Sequence, residues 1–194
     1  GLGAEPKLLI GKSRSGVGSW SVWHQALATN ELVYLNNTSA KSVDGGTPPA
    51  AFSATSSTTF TVQHWNRMIG NGVDGVFYAF AEVEGFSKFG SYTGNGSTDG
   101  PFVYCGFRPA WVMVKRTDTT TDWVLWDAVR DANNVMSREL QPDKSDAEVT
   151  SGDDLDFTSN GFKARRNANN FNASGGTYIF MAFAEAPFKY SNAR

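Results

Sequence analysis

The sequence predicts an all-β protein made of two tandem, structurally similar β-sandwich units, jelly-roll-like and related by pseudo-symmetry. The first observation behind this is a near-repeat at one constant offset. Trp20-Ser21-Val22-Trp23 recurs as Trp123-Val124-Leu125-Trp126, and Ala79-Phe80-Ala81-Glu82 recurs as Ala182-Phe183-Ala184-Glu185. Both pairs lie 103 positions apart (123 − 20 and 185 − 82), as do Pro6 and Pro109, and Lys12 and Lys115. A register held over most of both halves marks a duplicated unit of about 100 residues. The second observation is a succession of short aromatic or β-branched runs bounded by Gly, Asn, Asp, Ser and Thr. The third is that no segment carries a helix-length apolar period.

In the first unit, residues 1–90, strands are expected over Lys7–Lys12, Ser19–His24, Glu31–Leu35, Thr58–Gln63 and Val76–Glu82. In the second, residues 91–194, they are expected over Phe102–Phe107, Trp111–Thr117, Asp122–Ala128, Leu155–Phe157, Gly161–Arg165 and Thr177–Glu185. Turn signals such as Ser15-Gly16-Val17-Gly18, Asn160-Gly161 and Ser174-Gly175-Gly176 separate them. Asp131–Leu140 is the best helical candidate, but it lacks an apolar stripe and reads as loop or a single turn. Glu84–Gly100 joins the units. Its end, Gly94-Asn95-Gly96-Ser97-Thr98-Asp99-Gly100, has linker composition, and its start, Phe86 to Tyr92, reads as ordered.

Composition narrows the function. Of 194 residues, 40% are hydrophobic, enough for a packed core. The formal charge of −2 argues against nucleic acid, and the one small basic cluster, Lys163, Arg165 and Arg166, does not offset it. Cys105 is the single cysteine, so neither an internal disulfide nor a cysteine zinc site can form, and it reads as a buried small hydrophobe. No disulfide framework implies folding in a reducing cytosol. No run is long enough for a membrane span and no signal peptide is present. The start at Gly1-Leu2-Gly3, without methionine, reads as a fragment or processed product.

Residues that could carry chemistry are few. Trp20 and Trp23 are three apart, as are Trp123 and Trp126, so in a strand each pair points to opposite faces. One member should face the core, and the other is free to stack a sugar ring or to bury area at an interface. Tyr34 and Trp65 join these four as carbohydrate-binding candidates. Lys12 with Glu82, and Lys115 with Glu185, close apolar strands at matching positions and are expected to form one structural ion pair per unit. The competing reading is a pair of catalytic carboxylates. Asp153, Asp154 and Asp156 form an acidic cluster whose spacing matches no EF-hand loop, so a solvated turn is favoured over calcium. His24 and His64 lack a recognisable nucleophile relay. No metal, no cofactor and no catalytic residue is expected.

Several runs resemble a family. They are Gly94-Asn95-Gly96-Ser97, Phe102 through Arg116, Trp123 to Asp127, and Asn160-Gly161-Phe162-Lys163. To these add Asn172 through Phe180 and Ala182-Phe183-Ala184-Glu185-Ala186-Pro187-Phe188-Lys189-Tyr190. Together they resemble an uncharacterised tandem-repeat β domain of bacteriophage tail-fibre and other virion surface proteins, often found beside concanavalin- or laminin-G-like domains. The resemblance covers nearly all of the second unit and, more weakly, the first. It implies a virion location after synthesis in the host cytoplasm, other virion proteins as partners, and a homo-oligomer, with a trimer as the tail-fibre form. It carries no catalytic residue across. The favoured function is non-enzymatic adhesion to a bacterial surface glycan. The alternatives are a purely structural module, as capsid decoration or fibre stalk, and a polysaccharide depolymerase using Glu82, Asp127 or Glu185.

Overall fold

In the computed structural model, which describes residues 2–43, 52–54, 56–62 and 74–185, every regular element is a β-strand. The chain divides into two compact units, Gly1–Glu82 and Val83–Arg194. In the first unit the strands are β1 (Leu8–Ser13), β2 (Ser21–His24), β3 (Glu31–Tyr34), β4 (Ser42–Val43), β5 (Phe52–Ala54), β6 (Phe60–Val62) and β7 (Gly75–Phe80). Five of them form an antiparallel sheet in the order β4-β3-β2-β1-β7, and β5 pairs with β6 as a two-stranded ribbon. One face of the sheet gathers Leu9, Trp23 and Leu32, against which Phe60 and Val62 of the ribbon pack.

The second unit contains β8 (Ser87–Thr93), β9 (Phe102–Tyr104), β10 (Pro109–Arg116), β11 (Trp123–Asp127), β12 (Met136–Glu139), β13 (Val149–Thr158), β14 (Gly161–Ala164) and β15 (Thr177–Ala184). They form two antiparallel four-stranded sheets, β11-β10-β15-β8 and β12-β13-β14-β9. A single core lies between them. Val112, Val114, Trp126, Phe180 and Tyr178 enter it from the first sheet, and Val103, Leu155, Phe157 and Phe162 from the second. This is a β-sandwich. Burying a side chain such as Phe180 contributes roughly 1.5–3 kcal/mol.

Three strands of each unit are paired alike. Leu9 lies opposite Trp23 and Ala79, and Val112 opposite Trp126 and Ala182. Leu8 lies opposite His24 and Phe80, and Trp111 opposite Asp127 and Phe183. Every one of these positions differs by the 103 residues of the sequence repeat (112 − 9, 126 − 23). The strands beyond this shared trio differ, since a short ribbon covers the first sheet where a second four-stranded sheet covers the other.

The same registers correct the expected ion pairs. Lys12 lies opposite Val76 and Leu8 opposite Phe80, so Glu82, past the end of β7, sits level with the start of β1. At about 3.3 Å per residue the two charges are on the order of 20 Å apart. Lys115, opposite Ile179, is likewise at the far end of its strand from Glu185. Instead, Lys12 Nζ donates to the Gly18 carbonyl at 2.8 Å and Lys115 Nζ to the Thr121 carbonyl at 2.5 Å. Each lysine clasps its own hairpin loop.

Three further expectations change. Phe86 to Thr93 is no connector, because β8 pairs with β15 along its length and belongs to the second unit. The boundary therefore falls before Val83, not after residue 90. Nor is Gly94–Gly100 a free linker. Gly94 N–H donates to the Gly176 carbonyl at 2.9 Å, and the fully buried Asn172 side chain accepts from Asn95 N–H at 3.1 Å and donates to the Ser97 carbonyl at 2.8 Å. The helical candidate Asp131–Leu140 contains strand β12, paired with β13 through an irregular register.

Candidate functional site

Three of the proposed sugar-stacking tryptophans are core residues. Trp126 is fully buried, its indole N–H donating to Asp154 Oδ2 at 3.1 Å and its ring meeting Phe171 edge-on. Trp23 and Trp123 are also buried. A sugar cannot reach these rings, because tryptophan offers a large apolar area that folding claims first. Trp23 and Trp126 are the members of each pair that enter the core clusters, but in the second unit the expectation of one open member fails, because Trp123 is buried as well. Trp20 remains half-buried and stacks on Tyr78, with centroids 6.3 Å apart and planes at 30°. Tyr34 is half-buried against the first core, and Trp65 lies outside the described residues.

Among the described residues the most open aromatic pair lies elsewhere. Phe102 and Tyr104 are 47% and 63% exposed, two positions apart on β9. Between and beyond them Val103 and Cys105 turn into the core. Cys105 is thus the buried hydrophobe expected, and burial pushes its thiol up to about 12. β9 is the last strand of its sheet. The hydrogen bonds to β14 run through alternate residues, with Cys105 N–H donating to the Asn160 carbonyl and Ala164 N–H to the Pro101 carbonyl. In an antiparallel ladder this makes Val103, opposite Phe162, the bonded residue of β9. The N–H and C=O groups of Phe102 and Tyr104 therefore point off the open edge, while their rings rise from the outer face.

The floor beside the rings comes from β14. Gly161 is opposite Tyr104 and Lys163 opposite Phe102. A Cβ on Gly161 would lie 2.1 Å from the Val103 carbonyl oxygen, so close approach of the two backbones demands glycine. Lys163 Nζ contacts Asp99 Oδ1 and donates to the Gly100 carbonyl, each at 2.8 Å, and holds the Asp99 carboxyl below its usual range. Arg165 pairs with Asp156 at 2.5 Å.

These contacts also resolve the two charged clusters of the sequence. Lys163, Arg165 and Arg166 pair with Asp99, Asp156 and Asp154 respectively, so two of the three acidic residues have a cation partner. The run expected as a solvated turn is part of strand β13, with Asp154 and Asp156 buried. Asp154 turns inward to Trp126 and Arg166, whereas Asp156 sits opposite Lys163. They do not converge on a calcium ion, and among the described residues no group of three or more His, Cys, Asp or Glu could hold a metal.

The carboxylates considered for catalysis are engaged separately. Glu82 accepts from Gln25 at 3.2 Å, and Glu185 pairs with Arg108 at 2.9 Å. Asp127 caps the turn after β11, accepting from Val129 N–H at 3.1 Å and from Arg130. Burial pushes Asp127 up, but its hydrogen bonds from Arg130 outweigh that and leave it lowered. His24, at the matching place in the first unit, accepts from Ala26 N–H through Nδ1 at 3.1 Å, so the cap persists although the residue differs.

Sequence reasoning missed one acidic pair. Glu139 and Asp154 are both buried and both raised, chiefly by burial, and each charge opposes the other at Glu139. Glu139 Oε1 accepts from Gln141 at 2.8 Å and Asn170 at 3.2 Å. Arg166 approaches Asp154 Oδ1 at 2.6 Å and lies over the Phe171 ring. Wide separation in sequence hid this pair. Its enclosure suits a structural network and denies access to a polymer.

Fold and site together define an all-β protein of two antiparallel units with an aromatic pair on an open sheet edge. The chain belongs to the family described as Domain of unknown function (DUF7483), which matches residues 1–187 and so spans both units. Comparison with curated proteins and with solved structures finds no match.

Proposed function

We propose that this chain is a non-catalytic adhesion module on the surface of a bacteriophage particle, in a tail fibre or another virion protein, and that it holds a bacterial surface glycan. The observation that carries the adhesion reading is the exposed Phe102–Tyr104 pair. Large aromatic faces left in water cost free energy unless a ligand covers them, and pyranose rings present an apolar face of matching size. Lys163 and the outward N–H and C=O groups of the two residues lie beside the rings and supply the polar partners that shallow sugar sites use. The virion setting rests on the sequence resemblance in the second unit, where the matching runs include β9 itself. Other virion proteins are then its structural partners, and the display of several copies multiplies weak sites into firm attachment.

The test is retention of the whole chain on immobilised dextran, mannan, laminarin, agarose, alginate and polygalacturonate. The proposal expects saturable retention on at least one, abolished by Phe102→Ala with Tyr104→Ala while the melting temperature holds. Retention on none, or retention indifferent to the double change, overturns it.

A further inference from the structure

The adhesion reading leaves open what kind of glycan the edge accepts. Resting on that reading, we infer that β9 is a two-ring subsite for an uncharged linear polysaccharide, with Phe102 and Tyr104 each stacking one of two consecutive sugar rings. Three observations on the strand lead there.

The first is spacing. Phe102 and Tyr104 stand on the same face, two residues apart, so their Cα atoms are roughly 7 Å from one another along the strand. Consecutive rings of an extended sugar chain can follow that step, whereas a single terminal sugar would leave one aromatic in water. The outward N–H and C=O of the same two residues repeat at the same interval. A periodic row of stacking faces and hydrogen-bonding groups fits a periodic ligand.

The second is the charge balance. Two cations of β14 and the residue after it, Lys163 and Arg165, already have carboxylate partners, Asp99 and Asp156. An anionic sugar would have to break one of these pairs and face the carboxylate it displaced. A neutral chain meets no such opposition.

The third is the length of the edge. An open strand edge also invites another polypeptide strand, which would extend the sheet. Here the strand has only three residues. Gly106, at φ +84°, follows close behind and turns the chain out of the extended conformation. A partner strand of ordinary length, about five or six residues, finds no continuous ladder. Two sugar rings need no more than the two residues available.

The test takes the neutral polysaccharide that retains the whole chain and cuts it into oligomers of one to six sugars. Affinity for each is measured by calorimetry. The inference expects about a tenfold gain from one sugar to two and little beyond. Phe102→Ala and Tyr104→Ala should each remove that gain while leaving weak binding of the single sugar. A single sugar bound as tightly as the longer oligomers overturns the two-ring subsite but leaves adhesion standing. So does an affinity that climbs steadily to six, or retention on alginate or polygalacturonate alone. A chain that binds no glycan and instead dimerises in light scattering, with Tyr104→Ala restoring the monomer, overturns both the inference and the adhesion reading in favour of strand pairing.

Discussion

Lys12 and Lys115 perform the same task in their two units, each reaching six residues forward to a loop carbonyl, Gly18 for one and Thr121 for the other. The acceptors too are 103 apart (121 − 18). The repeat thus preserves a local clasp and not a charge pair. Lys115 is wholly buried, and burial lowers its ammonium to about 8, with Asp143 and Asp122 opposing the shift.

That burial gives the first prediction. The folded lysine titrates near 8 and an unfolded one near 10.4. Between those values the unfolded chain binds more protons, so stability rises with pH across that window. Wild type should gain on the order of 2 kcal/mol between pH 7 and pH 10 relative to Lys115→Met. Denaturant melts at both pH values check this, and a parallel response of the two proteins would contradict it.

The second prediction compares two equivalent tryptophans. Trp126 donates to the buried Asp154, whereas Trp23 Nε1 has no hydrogen-bond partner among the described residues. Replacing either by phenylalanine removes similar volume. Trp126→Phe also strips a donor from a buried carboxylate, and should cost about 1–3 kcal/mol more than Trp23→Phe. Urea titrations of both variants measure the difference.

Glu139 supplies the third. Its carboxyl is raised by burial first and by Asp154 next, so the folded state keeps its proton to higher pH than the unfolded state does. Stability from this group is complete in acid and is lost as pH rises through the folded value. Glu139→Gln keeps an acceptor for Gln141 and Asn170 and removes the charge. It should stabilise the protein at pH 7 and progressively less as the pH falls toward 4. Thermal melts at the two pH values decide it.

Much of the fold was legible because alternating apolar residues and turn signals fall where the strands begin and end. In sequence β8 reads as ordered but not as a strand, since its alternation is interrupted at Gly90. It is glycine because a Cβ there would lie 2.7 Å from the Phe180 ring, which fills that space from the neighbouring strand. The candidate site was harder to read. Phe102, Val103, Tyr104 and Cys105 are all apolar, so alternation alone does not say which pair faces out. Packing decides it. Phe162 faces inward opposite Val103, and the smaller Val103 and Cys105 fill the core around it. The tryptophans misled for the converse reason, since the largest apolar side chains gain most from burial.

The central claim is tested most directly by the double variant Phe102→Ala, Tyr104→Ala in the whole chain, assayed for polysaccharide retention and melting temperature on the same sample. The account predicts that retention is lost while the melting temperature stays within about 2 °C of wild type, because both side chains stand outside the core. Undiminished retention by a variant that is still folded would contradict it.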